Sequence, residues 1–277
     1  MIKKAHGVDH YENFPVASFL CPPALRPAIM AIYWFARTAD DLADEGDALP
    51  SQRLADLAAY RGDLVACAQG EPASNRWPVV FANLQPVIKQ FHLPIGLLMD
   101  LLSAFEQDVT KTRYANQSEL LDYCRRSANP VGRLLLHLYN ASDATSLEQS
   151  DCICTALQLI NFWQDLSRDV PNGRIYLPLE SLAKHQVTQA QLLHLEVNAA
   201  TTALVADNLA YAQALMLRGA PLVKKVPGRA GWELRLVVQG GLRIAEKIEQ
   251  LQFATLRQRP KLNAWDGAVM IWRAVWM

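Results

Sequence analysis

The chain has 277 residues, with 27 Lys plus Arg against 27 Asp plus Glu, so its formal net charge is zero; apolar residues make up 51% and charged residues only 19%. That balance excludes a disordered chain, which needs low hydrophobicity and high net charge. It argues against a nucleic-acid partner as well, because such binding rests on surplus Lys and Arg. Three explanations of the apolar share remain: membrane spans, a deep core, or a site for an apolar ligand.

The N-terminal stretch MIKKAHGVDHYENF carries two lysines but no apolar run of the kind a secretory signal needs. Helical signals then dominate. Residues 24–46, 50–69, 94–108, 117–139, 147–170, 188–218 and 229–257 are rich in Ala, Leu, Gln, Glu and Arg, with apolar residues at three- and four-residue spacing. Punctuation falls between them at Pro22-Pro23, Gly70-Glu71-Pro72, Pro94, Pro171-Asn172-Gly173, Gly219-Ala220-Pro221 and Pro227-Gly228. Asn129-Pro130 kinks or breaks its helix. At the C-terminus, Trp265, Val269, Trp272 and Trp276 share one helical face, which either packs on the bundle or lies in a membrane interface.

Strand patterns are scarce and no linker composition appears, so the expectation is one all-α domain over residues 1–277. No segment reaches the roughly 20 apolar residues of a membrane span before charge, Pro or Gly interrupts it. Five cysteines (Cys21, Cys67, Cys124, Cys152, Cys154), an odd number with no C-x-x-C pair, suit neither a disulfide framework nor a zinc site. The expected setting is a reduced, cytoplasmic one, with contact on the inner-membrane surface as the further expectation.

Two acidic segments carry the chemistry. The first is Tyr33-Trp-Phe-Ala-Arg37-Thr-Ala-Asp40-Asp41-Leu-Ala-Asp44; the second is Gln158-Leu-Ile-Asn161-Phe-Trp-Gln164-Asp165-Leu-Ser-Arg168-Asp169. Each contains D-x-x-x-D, and residues four apart lie on one helix face about 6 Å apart along the axis. Tyr33, Arg37, Asp40 and Asp44 fall in one stripe; Asn161, Asp165 and Asp169 make another. A solvated face explains a single such spacing. Two of them among Phe, Trp, Ile and Leu also fit a pair of carboxylate sets that meet across a cleft. Like charges at this spacing repel, and carboxylate oxygens suit a hard cation such as Mg²⁺ that is bound together with phosphate.

These residues resemble the squalene and phytoene synthase family, over nearly the whole chain. Tyr33, Arg37, Asp40 and Asp44 match its first Asp-rich motif, and Gln158, Asn161, Asp165 and Asp169 match its second. Tyr123-Cys-Arg-Arg-Ser-Ala-Asn-Pro-Val-Gly132 is similar to its tyrosine and glycine helix. Gly173-Arg174-Ile-Tyr176-Leu-Pro178 resembles the segment after the second motif, and His10-Tyr11-Glu-Asn-Phe14 the N-terminal segment near the diphosphate.

The resemblance implies an all-α isoprenoid synthase bundle around an apolar cavity. It implies Mg²⁺ held by Asp40, Asp44, Asn161, Asp165 and Asp169, with Arg37 and Tyr33 in catalysis. His10, Tyr11, Phe14, Tyr123, Gln158, Gln164, Arg174 and Tyr176 would bind an isoprenoid diphosphate. A functional link to other enzymes of squalene synthesis is implied too. Gln164 stands where the family usually has Arg, and Ala128-Asn129-Pro130 where it has Ala-Gly-Thr. These variants look like the bacterial hopanoid-pathway subgroup that converts presqualene diphosphate to hydroxysqualene. Head-to-head condensation of farnesyl or geranylgeranyl diphosphate is the alternative. Losing an Arg removes a bidentate phosphate ligand, which suits an enzyme that handles one diphosphate rather than two. Trp34, Phe35, Phe105, Leu135, Phe162 and Trp163 are candidate cavity residues, with ordinary core packing the expectation for most.

Overall fold

A computed structural model describes residues 21–277 and, among them, contains helices and no strand. His10, Tyr11 and Phe14 lie outside the described residues. The helices are α1 (Arg26–Asp44), α2 (Pro50–Gln69), α3 (Pro78–Phe91), α4 (Ile95–Asp108), α5 (Gln117–Ser127), α6 (Asn129–Leu138), α7 (Ala144–Gln164), α8 (Leu166–Asp169), α9 (Leu179–Lys184), α10 (Gln189–Leu193), α11 (Ala199–Gly219), α12 (Gly228–Gln250) and α13 (Ala264–Val275).

Expected and observed elements agree closely for α1, α2 and α4. The sequence reading leaves 78–91 unassigned, and it becomes α3 despite Pro86 inside it. Burial of Phe81, Leu84, Val87 and Ile88 holds that helix against the loss that an interior proline imposes. The stretch 117–139 divides at Ala128, which closes α5 and opens α6, as Asn129-Pro130 implies. The stretch 188–218 is two helices: Leu195 takes φ 54°, and Asn198 caps α11 by accepting from the Ala200 and Thr201 amides.

The stretch 147–170 is not one helix either. The Ser167 amide leaves the ladder to donate to the Thr255 carbonyl at 3.1 Å, and the axis breaks at Asp165. Asp165 still donates to the Asn161 carbonyl, and Asp169 to the Asp165 carbonyl, so the four-residue spacing survives the break.

Buried side chains form two clusters. One joins α1–α4, around Phe35, Tyr60 and Phe81. The other joins α5, α7, α11 and α12, around Ile153, Ile160 and Met216. Helix α6 lies between them, sending Leu134 and Leu138 to the first and Leu136 to the second. Its Gly132 lets α6 approach α7 closely: a Cβ there would stand 2.4 Å from Ser150 Oγ and 2.6 Å from Cys154 Sγ.

Helix α13 is amphipathic in the reverse sense. Its acid, Asp266, is 1% exposed and held by Arg243 and Lys247 of α12, while Ala264, Trp265, Ala268, Ile271, Trp272, Val275 and Trp276 face outward. Among the described residues no helix is long and apolar enough to cross a membrane, and the five cysteines are buried and unbridged.

Candidate active site

Where the two clusters meet, a cavity of about 290 Å³ opens between α1, α4, α6 and α7. Its mouth carries Tyr33, Arg37 and Asp40 from α1 and Gln158 from α7; Phe105, Val131, Leu135 and Leu157 make its walls apolar. A smaller apolar cavity of about 80 Å³ shares Ile29, Leu135, Cys154 and Leu157 with it and continues toward α12. Of the six candidate cavity residues, Phe105 and Leu135 line the larger cavity. Phe35 and Trp163 are core residues, and Trp34 is half-exposed.

Helix α1 places its four polar residues on one stripe because Ala28, Phe35 and Ala39 take the opposite face into the core, while Ile29 and Ile32 line the cavity beside the stripe. Arg37 reaches Asp41 and Glu45 at 2.7 Å and Asp40 at 3.5 Å. From the loop after α8, Arg174 donates to both oxygens of Asp44, at 3.1 and 3.4 Å. The same guanidinium acts electrostatically on Asp108 and Asp169, so it stands between the two acidic stripes.

Burial, reinforced by the neighbouring Asp165, pushes Asp169 up to about 7 against the pull of Arg174, Arg168 and Arg259. Asp108, at the end of α4, is also pushed up to about 7. Burial is the main cause; the Tyr123 hydrogen bond and Arg174 oppose it, while Asp40 and Asp44 add to it. The Tyr123 hydroxyl donates to Asp108 Oδ2 at 2.8 Å. Tyr176 stacks on Phe162 with centroids 3.7 Å apart, and Tyr114, Tyr123 and Tyr176 form one ring cluster around it.

The structure thus gathers Tyr33, Arg37, Asp40 and Gln158 at the cavity, and it joins Asp44, Arg174, Tyr123 and Tyr176 through Asp108. Asn161 sits on the last turn of α7, one turn before Asp165. Gln164 is different. It is buried, and its amide donates to the Pro260 carbonyl at 2.8 Å, so it grips the C-terminal segment rather than facing a ligand.

Nor does Asp165 lack a cation: the guanidinium of Arg259 pairs with both its oxygens. The sequence does not reveal this pairing: Arg259 is one of three cations in an Arg-Gln-Arg-Pro-Lys run, 94 residues from its partner. Ser127 also lines the cavity, and its buried hydroxyl has no hydrogen-bond partner among the described residues.

Among the described residues no three His, Cys, Asp or Glu side chains lie together as a metal cluster. The donor chemistry nonetheless fits a hard cation: carboxylates of α1 and α8, Asp165 at the break, and the Asn161 amide of α7, with Arg174 hydrogen-bonded to Asp44 and acting electrostatically on Asp169.

Comparison with known proteins identifies the family and the fold. A family model described as squalene/phytoene synthase matches residues 8–266. The chain is 34% identical over 246 residues to a hydroxysqualene synthase of Sinorhizobium fredii, covering 88% of this chain and 80% of that protein. It is 43% identical over 184 residues to a hydroxysqualene synthase of Zymomonas mobilis, covering 65% and 59%. The crystal structure of squalene synthase HpnC from Alicyclobacillus acidocaldarius superposes with a TM-score of 0.81 at 36% identity, over 88% of this chain and 90% of that one.

Proposed function

Because the chain belongs to the squalene/phytoene synthase family and is an isoprenoid synthase, we propose that it converts presqualene diphosphate to hydroxysqualene in a Mg²⁺-dependent reaction. The observation that carries this is the acid- and arginine-lined mouth on an otherwise apolar cavity. The names of the relatives favour water capture over condensation.

Asp40, Asp44, Asn161, Asp165 and Asp169 would hold Mg²⁺, which supplies Lewis-acid stabilisation of the leaving diphosphate when bound. Arg37 and Arg174 add fixed positive charge where charge develops on that group. The C–O bond breaks with its electron pair leaving on the diphosphate. The cyclopropylcarbinyl cation rearranges behind apolar walls that keep water off it. A single water then adds its oxygen to carbon and gives up a proton. Of the three tyrosines able to orient that water, Tyr123 donates to Asp108 and Tyr176 stacks on Phe162, whereas Tyr33 lines the cavity. We assign the water to Tyr33.

The test is incubation of purified protein with presqualene, farnesyl or geranylgeranyl diphosphate, each with Mg²⁺ and with or without NADPH. The expected outcome is an alcohol from presqualene diphosphate alone, without NADPH. Asp40→Asn and Asp165→Asn should retain the fold and lose at least about two orders of magnitude in turnover, the scale at which removing one charge-stabilising group acts. Tyr33→Phe should lower the alcohol share among the products. Condensation of farnesyl diphosphate with no turnover of presqualene diphosphate would replace this reading with the alternative.

A further inference from the structure

The second acidic stripe is crossed by a part of the chain that neither motif contains. Helix α12 ends where Gln252 and Phe253 take left-handed φ values of 52° and 61°. The chain then returns over the break between α7 and α8. The Thr255 carbonyl accepts from the Ser167 amide at 3.1 Å, and the Pro260 carbonyl accepts from Gln164 Nε2 at 2.8 Å. Between those two anchors, Arg259 lays its guanidinium along the Asp165 carboxylate: Nε meets Oδ1, and Nη2 stands 3.3 Å from Oδ2. The pair is largely shielded, with the Arg259 side chain 23% exposed and that of Asp165 14%.

We propose that Arg259 is the resident counter-cation of this stripe: it occupies Asp165 while no metal is bound and yields it when a divalent cation and a diphosphate arrive. This rests on the Mg²⁺ reading above. Both oxygens of Asp165 face the guanidinium, so a metal arriving at this carboxylate competes with it for both. Asp165 and Asp169 are like charges four residues apart, an arrangement that is unfavourable until a cation joins it. A two-point guanidinium contact supplies that cation more firmly than an ammonium group can.

Gln164 completes the arrangement. Its site is buried, and a neutral amide satisfies the Pro260 carbonyl there without the burial cost of a charge. It thereby fixes the residue next to Arg259. Positions 164 and 259 work as one device: the first anchors the segment, the second brings the charge.

The sign of one measurement tests this. Mn²⁺, used in place of Mg²⁺, is titrated into the full chain and its free fraction read by electron paramagnetic resonance, with and without inorganic pyrophosphate. If Arg259 competes for Asp165, Arg259→Gln binds Mn²⁺ without pyrophosphate roughly tenfold more tightly than wild type, the factor equivalent to about 1.4 kcal/mol. Arg259→Lys, which keeps the charge but not the two-point contact, falls between them. A merely structural role moves affinity the other way, because a displaced segment would loosen the stripe. Equal or weaker Mn²⁺ binding by both variants, with wild type binding normally, overturns the proposal and leaves the functional reading intact. Wild type that binds no Mn²⁺ even with pyrophosphate, or Asp165→Asn that binds it as wild type does, overturns the metal reading itself and the proposal with it.

Discussion

The raised pKa of Asp108 makes a quantitative prediction about metal-free protein. An unperturbed aspartate titrates near about 3.9, and burial moves Asp108 to about 7. At about 1.4 kcal/mol per tenfold, that displacement costs the folded chain roughly 4 kcal/mol once the group is fully ionised. Folded protein holds the proton more tightly than unfolded protein throughout the window between those values. Stability is therefore greatest at the acidic end and falls as pH rises through 7. Between pH 5 and pH 8 the loss from Asp108 alone comes to roughly 2–3 kcal/mol, or about 4 °C in Tm for a chain of this length. Asp108→Asn cannot titrate, yet it still offers Tyr123 an acceptor for the hydrogen bond now made at 2.8 Å. Calorimetry of both proteins in EDTA at pH 5, 6, 7 and 8 should show the variant losing about 4 °C less than wild type. A decline should persist in the variant, because Asp169 is displaced to the same value. Identical pH slopes for the two proteins would refute the claim that Asp108 is held protonated by burial.

Gly132→Ala should cost about 1–3 kcal/mol by overpacking, since its Cβ would stand 2.4 Å from Ser150 Oγ; an unchanged urea midpoint would refute the close approach of α6 to α7. Asp266→Asn should cost about 3–5 kcal/mol, the scale for breaking a buried ion pair, and expose α13 to limited proteolysis, because Asp266 binds Arg243 and Lys247 at 2.7 and 2.8 Å. Burial opposes ionisation of Asp266, but Lys247, the Asn263 amide and Arg243 outweigh it and lower its pKa to about 2, so this stabilisation should hold above about pH 4 and fade as pH falls toward 2. Wild type should co-sediment with vesicles of phosphatidylglycerol and phosphatidylethanolamine through the apolar outer face of α13, and Trp265→Ser with Trp272→Ser and Trp276→Ser should abolish it; wild type left in the supernatant would dismiss the membrane contact.

What the sequence discloses, and what it withholds, follows from the range of the forces involved. Apolar spacing marks α1, α2 and α4 because each helix turns one face to the core, and that choice is made within the helix itself. Pro86 disguises α3, whose stability comes from Phe81 and Leu84 packing in the first cluster. Asn129-Pro130 announces its break, since proline acts on its own neighbours. The break at Asp165 has no such local sign: an amide is drawn off by the Thr255 carbonyl, 88 residues along the chain. The acidic stripes were legible because residues four apart share a face in any helix, even one interrupted at Asp165.

The partners of those acids were not legible, and they change what neutrality means here. Asp44 is paired by Arg174 across 130 residues, and Asp165 by Arg259 across 94. Arg37, a partner within the first motif itself, lies nearer to Asp41 and Glu45 than to Asp40. The zero net charge of the chain is thus also a local balance, struck between carboxylates of the motifs and guanidiniums from outside them. On the proposed function this balance has a direction. A diphosphate competes for the guanidiniums, because phosphate oxygens match their two-point geometry as carboxylates do. Each arginine drawn to the diphosphate leaves a carboxylate uncompensated, and a divalent cation is then the available countercharge. Anion and metal accordingly favour each other's arrival. Metal alone meets carboxylates already engaged by arginine, and diphosphate alone would strand two acidic stripes without their cations.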